Sequence, residues 1–119
     1  MLDDNLIAKK SYDFALMIIV LYKYLSIEKK EYVLSKQLLR CGASIGANVQ
    51  EAQAGISKKD FIAKMSISAK EALETRYWLN LLIDSGYISK DKEKTHKILN
   101  EIESIIKILT KIVKSSQGN

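Results

Sequence analysis

Catalysis needs nucleophiles, bases, paired carboxylates or metal ligands at usable spacing, and this chain has few of them. It holds one histidine and one cysteine. His96 sits in a lysine-rich stretch and reads as a solvated residue. Cys41 has no histidine near it in sequence and falls on an apolar stripe, so it reads as a small hydrophobe. The serines lack a histidine base. No glycine-rich phosphate loop precedes a helix. Glu71 and Glu74 are one helical turn apart, but a dinuclear centre in a helical bundle needs Glu-x-x-His pairs on facing helices, and here a second Glu replaces the imidazole. The residues therefore predict no catalytic activity, no metal and no cofactor.

Two other groupings stand out. Asn48 and Glu51 project from one side of a helix, with Asn48 on its apolar stripe, where it needs hydrogen-bond partners. Arg76 falls on the stripe of the next helix, with Glu71 and Glu74 beside it; a buried guanidinium needs carboxylates. The expectation is a polar network of Asn48, Glu51 and Arg76 with Glu71 or Glu74, either fixing the register of the two helices or forming a site. The second grouping is basic: Lys29-Lys30, and Lys90, Lys92, Lys94 and Lys97. These lysines are candidate phosphate contacts, against the plainer reading of a solvated surface. The net charge of +5 allows either.

Those residues must be positioned by helices. The chain has no proline and five glycines, so loops are few and regular elements long. Gly55 and Gly86 end helical patterns, where a left-handed cap prefers glycine, and Ser57 and Ser89 follow as candidate N-caps. A third break falls around Ser26–Lys30, where the apolar pattern pauses. The expected helices cover about 3–25, 30–54, 58–85 and 90–114 of a single domain spanning 1–119. Apolar stripes support them: Leu34, Leu38, Cys41, Ile45, Asn48 and Ala52 in the second; Ile62, Met65, Ala69, Ala72, Arg76, Leu79 and Ile83 in the third; Ile98, Ile102, Ile105, Leu109 and Ile112 in the fourth. The fold class is all-α, an antiparallel up-down-up-down four-helix bundle. In that topology the Lys29-Lys30 turn and the Lys90–Lys97 turn share one end.

Gly42 and Gly46 lie one turn apart inside the second helix, where each costs about 1 kcal/mol relative to alanine. They predict close approach of a neighbouring helix. The first helix is apolar on every side over Phe14, Ala15, Leu16, Met17, Ile18, Ile19, Val20, Leu21 and Tyr22. A helix apolar all round is covered all round, so this run predicts an interface with another subunit and hence a homo-oligomer.

Composition excludes other classes. An apolar fraction of 47% is too high for a disordered chain. One cysteine makes no internal disulfide, which suits a reducing, cytoplasmic setting. The longest apolar run falls short of the roughly twenty residues of a membrane span, and no small-residue cleavage pattern follows it, so neither a span nor a secretory signal is expected.

At Ala43-Ser-Ile-Gly-Ala-Asn-Val-Gln-Glu51 and Lys70-Glu-Ala-Leu-Glu-Thr-Arg-Tyr-Trp-Leu79 the chain resembles the four-helix-bundle family of bacterial 23S rRNA-intervening-sequence proteins. Gln37-Leu38, Arg40, Ser44-Ile45, Asn48, Glu51, Phe61, Glu71, Glu74 and Gly86 carry the pattern over nearly the whole chain. One departure is visible: many members read Asn-x-Ala-Glu-Gly where this chain reads Asn48-Val-Gln-Glu-Ala52. The resemblance implies ring-like homopentamers without established enzymatic activity. It also implies a distant similarity to the basic pentameric accessory protein of diversity-generating retroelements, which binds nucleic acid and a reverse transcriptase. The resulting expectation is a binding protein for structured RNA or DNA. The alternative is a protein-interaction or scaffolding module, such as a polymerase-accessory partner, whose lysines only keep it soluble.

Overall fold

The computed structural model describes residues 2–118, with side chains from Asn5 onward. Four helices follow in order: α1, Leu2–Lys23; α2, Leu34–Gln53; α3, Lys58–Asp84; and α4, Glu93–Gln117. A short π-helical turn, Tyr24–Glu28, extends α1. No strand occurs among the described residues.

Cross-helix contacts give the topology. Ile18 and Ser11 of α1 meet Gly42 and Gly46 of α2, in that order, so the two helices run in opposite directions. Lys64 pairs with Glu51 and Arg40 with Glu71 and Glu74, which makes α2 and α3 antiparallel. Lys10 pairs with Glu101 at 2.6 Å, while residues 17–24 share a groove with residues 88–98, which makes α1 and α4 antiparallel. Each of α1 and α3 packs on both α2 and α4, so α1 and α3 lie across the diagonal of an up-down-up-down bundle. The bundle is a rod of 46 × 22 × 19 Å.

The core follows the helical period. Ile98, Ile102, Ile105, Leu109 and Ile112 of α4 are all buried, as the spacing predicts. In α2 the buried residue of the fourth turn is Val49 rather than Asn48. In α3 the stripe is rotated from the expected one. Met65, Ser68, Ala72, Thr75, Leu79 and Leu82 face the core, while Ala69, Arg76 and Ile83 sit at its margin. Two hydroxyls make this possible. Ser68 Oγ donates to the Ile45 carbonyl of α2 at 2.7 Å, and Thr75 Oγ1 donates to the Glu71 carbonyl at 2.7 Å. A hydroxyl bonded to backbone enters a core at little cost, whereas a guanidinium does not.

The first break differs from a simple turn. The π-helical turn carries the chain three residues past the expected helix end, and α2 starts at Leu34 rather than near residue 30. Between them Lys30 takes a left-handed φ of 53°. The buried Glu31 then caps α2. Its carboxylate accepts from the amides of Val33 at 3.1 Å, Leu34 at 3.0 Å and Ser35 at 2.7 Å. These are first-turn N–H groups with no partner inside the helix. The Ser35 hydroxyl returns a bond to the Glu31 carbonyl at 2.6 Å. Burial pushes the Glu31 carboxyl up, but the three backbone amides and the Ser35 hydroxyl outweigh that and hold it below its ordinary value.

The other two breaks fall where glycines stand. Gly86 has φ +90°, the left-handed cap expected there. Gly55 does not; its φ is not positive, and a side chain there would meet Asp60 Oδ2 at 2.8 Å and the Ala52 carbonyl at 2.9 Å. Glycine is present at 55 for space rather than for conformation. Ser57 caps α3 by accepting from the Asp60 amide at 3.0 Å. Ser89 is not the cap of α4. That helix starts at Glu93, and Thr95 Oγ1 ties its first turn back to the Ser89 carbonyl at 2.6 Å.

The apolar run of α1 divides between inside and outside. Phe14 and Ile18 are fully buried in the chain's own core, one turn apart, so neither is free for a subunit interface. Met17, Leu21 and Tyr22 are partly buried. Leu16, Ile19 and Val20 face outward, with Leu16 49% and Val20 64% exposed. Tyr12 and Ile27 extend that outer face along the helix.

Candidate nucleic-acid interface

The six candidate lysines gather at one end of the rod. Lys29 and Lys30 lie in the α1–α2 connection, Lys90 and Lys92 in the α3–α4 connection, and Lys94 and Lys97 in the first turns of α4; all six are exposed. None of them makes an ion pair among the described residues. Lys29 Nζ lies 5.9 Å from the centre of the Tyr24 ring, within cation–π range. Tyr24 in turn lines a groove between α1 and α4 of about 430 Å³. Met17, Val20 and Leu21 form its α1 wall, and Ile88 and Ile98 its far side; Lys92, Lys94 and Lys97 also line it. The groove thus joins both lysine clusters around a mostly apolar floor.

The sequence singles out the lysines as candidates, and counts Tyr24 only as one of several widely spread tyrosines that could stack on bases but more often pack. An aromatic at the end of an apolar run looks like core until the π-helical turn carries it to the groove margin.

The expected polar network is not a single cluster. Arg76 does not meet Glu71 or Glu74. It reaches across to α4 and pairs with Glu103 Oε1 at 2.5 Å, with the Arg76 side chain 40% exposed. The rotated stripe of α3 is the reason, since it turns Arg76 away from the core. Glu71 and Glu74 are instead held by Arg40 of α2, which bonds Glu71 Oε2 at 3.2 Å and also bonds Glu74 Oε2. Glu74 Oε2 further accepts from Trp78 Nε1 at 3.0 Å, and Arg40 Nε donates to Gln37 Oε1 at 3.3 Å. Asn48 bonds within its own helix, donating to the Ser44 carbonyl at 2.8 Å, and Glu51 pairs with Lys64 at 2.9 Å. Four ion pairs in three separate places thus stitch α2, α3 and α4.

A half-exposed pair contributes little. Arg76→Met therefore changes the unfolding free energy by less than about 1 kcal/mol in urea denaturation. Arg40→Met leaves two carboxylates facing each other and costs more, about 1–2 kcal/mol. A larger loss at Arg76 than at Arg40 would reverse this ranking.

Every buried side-chain nitrogen and oxygen among the described residues has a hydrogen-bond partner. Burial pushes the Cys41 thiol up, away from the reactive thiolate, and its sulfur lies 3.6 Å from the Leu38 carbonyl. Among the described residues no three His, Cys, Asp or Glu side chains converge as metal ligands, and no helix is long and apolar enough to cross a membrane.

Comparison with known proteins gives the lineage of this arrangement. The family model for the 23S rRNA-intervening sequence protein matches residues 3–111. A crystal structure of a protein of unknown function from the S23 ribosomal protein family of Bacteroides thetaiotaomicron is 49% identical. It superposes with a TM-score of 0.89 over 94% of this chain and 98% of that one. Among curated proteins no significant match is found. With a four-helix bundle matching over nearly its whole length, the chain belongs to the 23S rRNA-intervening sequence protein family.

Proposed function

We propose that this chain is a non-enzymatic, oligomeric binding protein of the cytoplasm that engages structured RNA or DNA through the basic end of the bundle. The observation that carries this reading is the gathering of six exposed, unpaired lysines from two connections at one end. Lysines already committed to carboxylates gain little from phosphate, whereas these six are available to it. Lys10, Lys64, Arg40 and Arg76, by contrast, already have acidic partners.

Oligomerisation would multiply the effect. The outer face of α1 exposes Tyr12, Leu16 and Ile19, and the outer face of α3 exposes Ile67, Leu73 and Tyr77. The two helices lie across the bundle diagonal. Two unlike apolar faces on opposite sides suit head-to-tail pairing, which closes into a ring when the rotation allows. A homopentamer, as the family resemblance implies, would repeat the lysine cluster around one rim. The same apolar faces favour the second reading, a protein-interaction or scaffolding module.

Fluorescence anisotropy with labelled RNA and DNA oligonucleotides separates the two. Nucleic-acid binding predicts affinity that falls steeply with salt. Replacing Lys90, Lys92, Lys94 and Lys97 with glutamine flattens the log–log salt dependence by about 3 to 4. Absence of any shift with either nucleic acid at low salt overturns the reading in favour of a protein partner.

A further inference from the structure

The lysines alone do not distinguish a duplex from a single strand, but the groove between them does. Its floor is apolar, from Met17, Val20, Leu21 and Ile98, and one aromatic, Tyr24, opens onto it at 37% exposure. A duplex keeps its base faces stacked against one another, so it has no unstacked base to place on this apolar surface. An unpaired nucleotide uses both parts: its phosphates meet the lysines and its base enters the groove.

We infer that the basic end takes single-stranded nucleic acid, with an unpaired base seated in the α1/α4 groove against Tyr24 and its flanking phosphates on Lys92, Lys94 and Lys97. This rests on the nucleic-acid reading above and narrows its substrate. Three observations support it. The groove, about 430 Å³, lies within the range of small-ligand clefts. Its lysines have no anionic partner among the described residues, so the charge complements a phosphodiester rather than a neutral apolar guest. The pairing of a cationic groove with an exposed aromatic is the arrangement by which proteins hold single strands, because every base offers a π-face and stacking tolerates any sequence. Lys29, held over the Tyr24 ring, adds a cation where the strand would leave the groove.

The test compares a labelled oligouridylate with its duplex with oligoadenylate at one low salt concentration, on the wild-type chain and on Tyr24→Leu and Tyr24→Phe. The inference expects the single strand to bind about tenfold tighter than the duplex. It expects Tyr24→Leu to lower single-strand affinity about tenfold, with duplex affinity unchanged, and Tyr24→Phe to keep it. A 2-aminopurine placed in the strand is quenched on binding wild type and less so on Tyr24→Leu, which reads stacking directly even if the leucine variant melts lower. Equal binding of strand and duplex, or unchanged quenching with Tyr24→Leu, overturns the inference while the nucleic-acid reading stands. Binding of neither oligonucleotide overturns that reading itself.

Discussion

Gly42→Leu lowers the free energy of unfolding by about 3 kcal/mol, measured by urea denaturation. A Cβ at position 42 would stand 2.9 Å from Ile18 Cγ1 and 3.0 Å from Ile18 Cγ2. Those atoms branch from Cβ of a fully buried side chain, and a β-branched residue in a helix has essentially one rotamer. Ile18 cannot swing aside, so α1 must move off α2. The shift does not stay local. One turn further on, Gly46 lies against Ser11, where a Cβ would be 3.3 Å from Oγ and 3.4 Å from the Ser11 carbonyl carbon. Gly46→Ala is the milder control. A contact that needs a few tenths of an ångström of give is set against the helix propensity alanine restores, about 1 kcal/mol, so the net change stays within about that amount. Equal stability of Gly42→Leu and wild type would show that α1 is not clamped here.

Glu31→Ala is expected to cost about 2–3 kcal/mol, because it removes a charged acceptor from three backbone amides at the start of α2. Glu31 is only 8% exposed, so water replaces those bonds poorly. The same group makes the fold acid-sensitive. Its folded pKa lies below its unfolded value, so its contribution is complete above the unfolded value of about 4.3. The contribution fades as pH falls below that value and is lost once pH passes the folded pKa. Wild type should therefore lose stability below about pH 4.5 more steeply than Glu31→Gln, which stays neutral throughout. Parallel pH profiles for the two would exclude Glu31 as the source. The cap also holds the connection that carries Lys29 and Lys30, so Glu31→Ala loosens one side of the basic end.

Helix existence and most of the α4 core were legible in the sequence because they depend on local rules. Ile98, Ile102, Ile105, Leu109 and Ile112 repeat at helical spacing, and their burial followed. Gly86 at its left-handed cap and Ser57 at its N-cap were equally local. The first break was less legible, because a π-helical turn and a glutamate cap replace the glycine or proline that punctuates a loop. Within the candidate site, the lysines and their common end were readable from topology. The partner of Arg76 was not, since adjacent helix positions lie about 100° apart and the α3 core takes Thr75 rather than Arg76.

By itself, the sequence of this protein determined four long helices, the family they belong to, and the two lysine clusters. Each of these depends on residue type and on spacing along one helix. Tertiary structure alone decided which carboxylate each arginine meets, that Phe14 and Ile18 belong to the core while Leu16 and Val20 face outward, and that Tyr24 joins Lys92, Lys94 and Lys97 around one groove. The physical reason is that these contacts join residues distant in sequence. They depend on how each helix is rotated about its axis, and packing at Gly42, Ser68 and Thr75 sets that rotation.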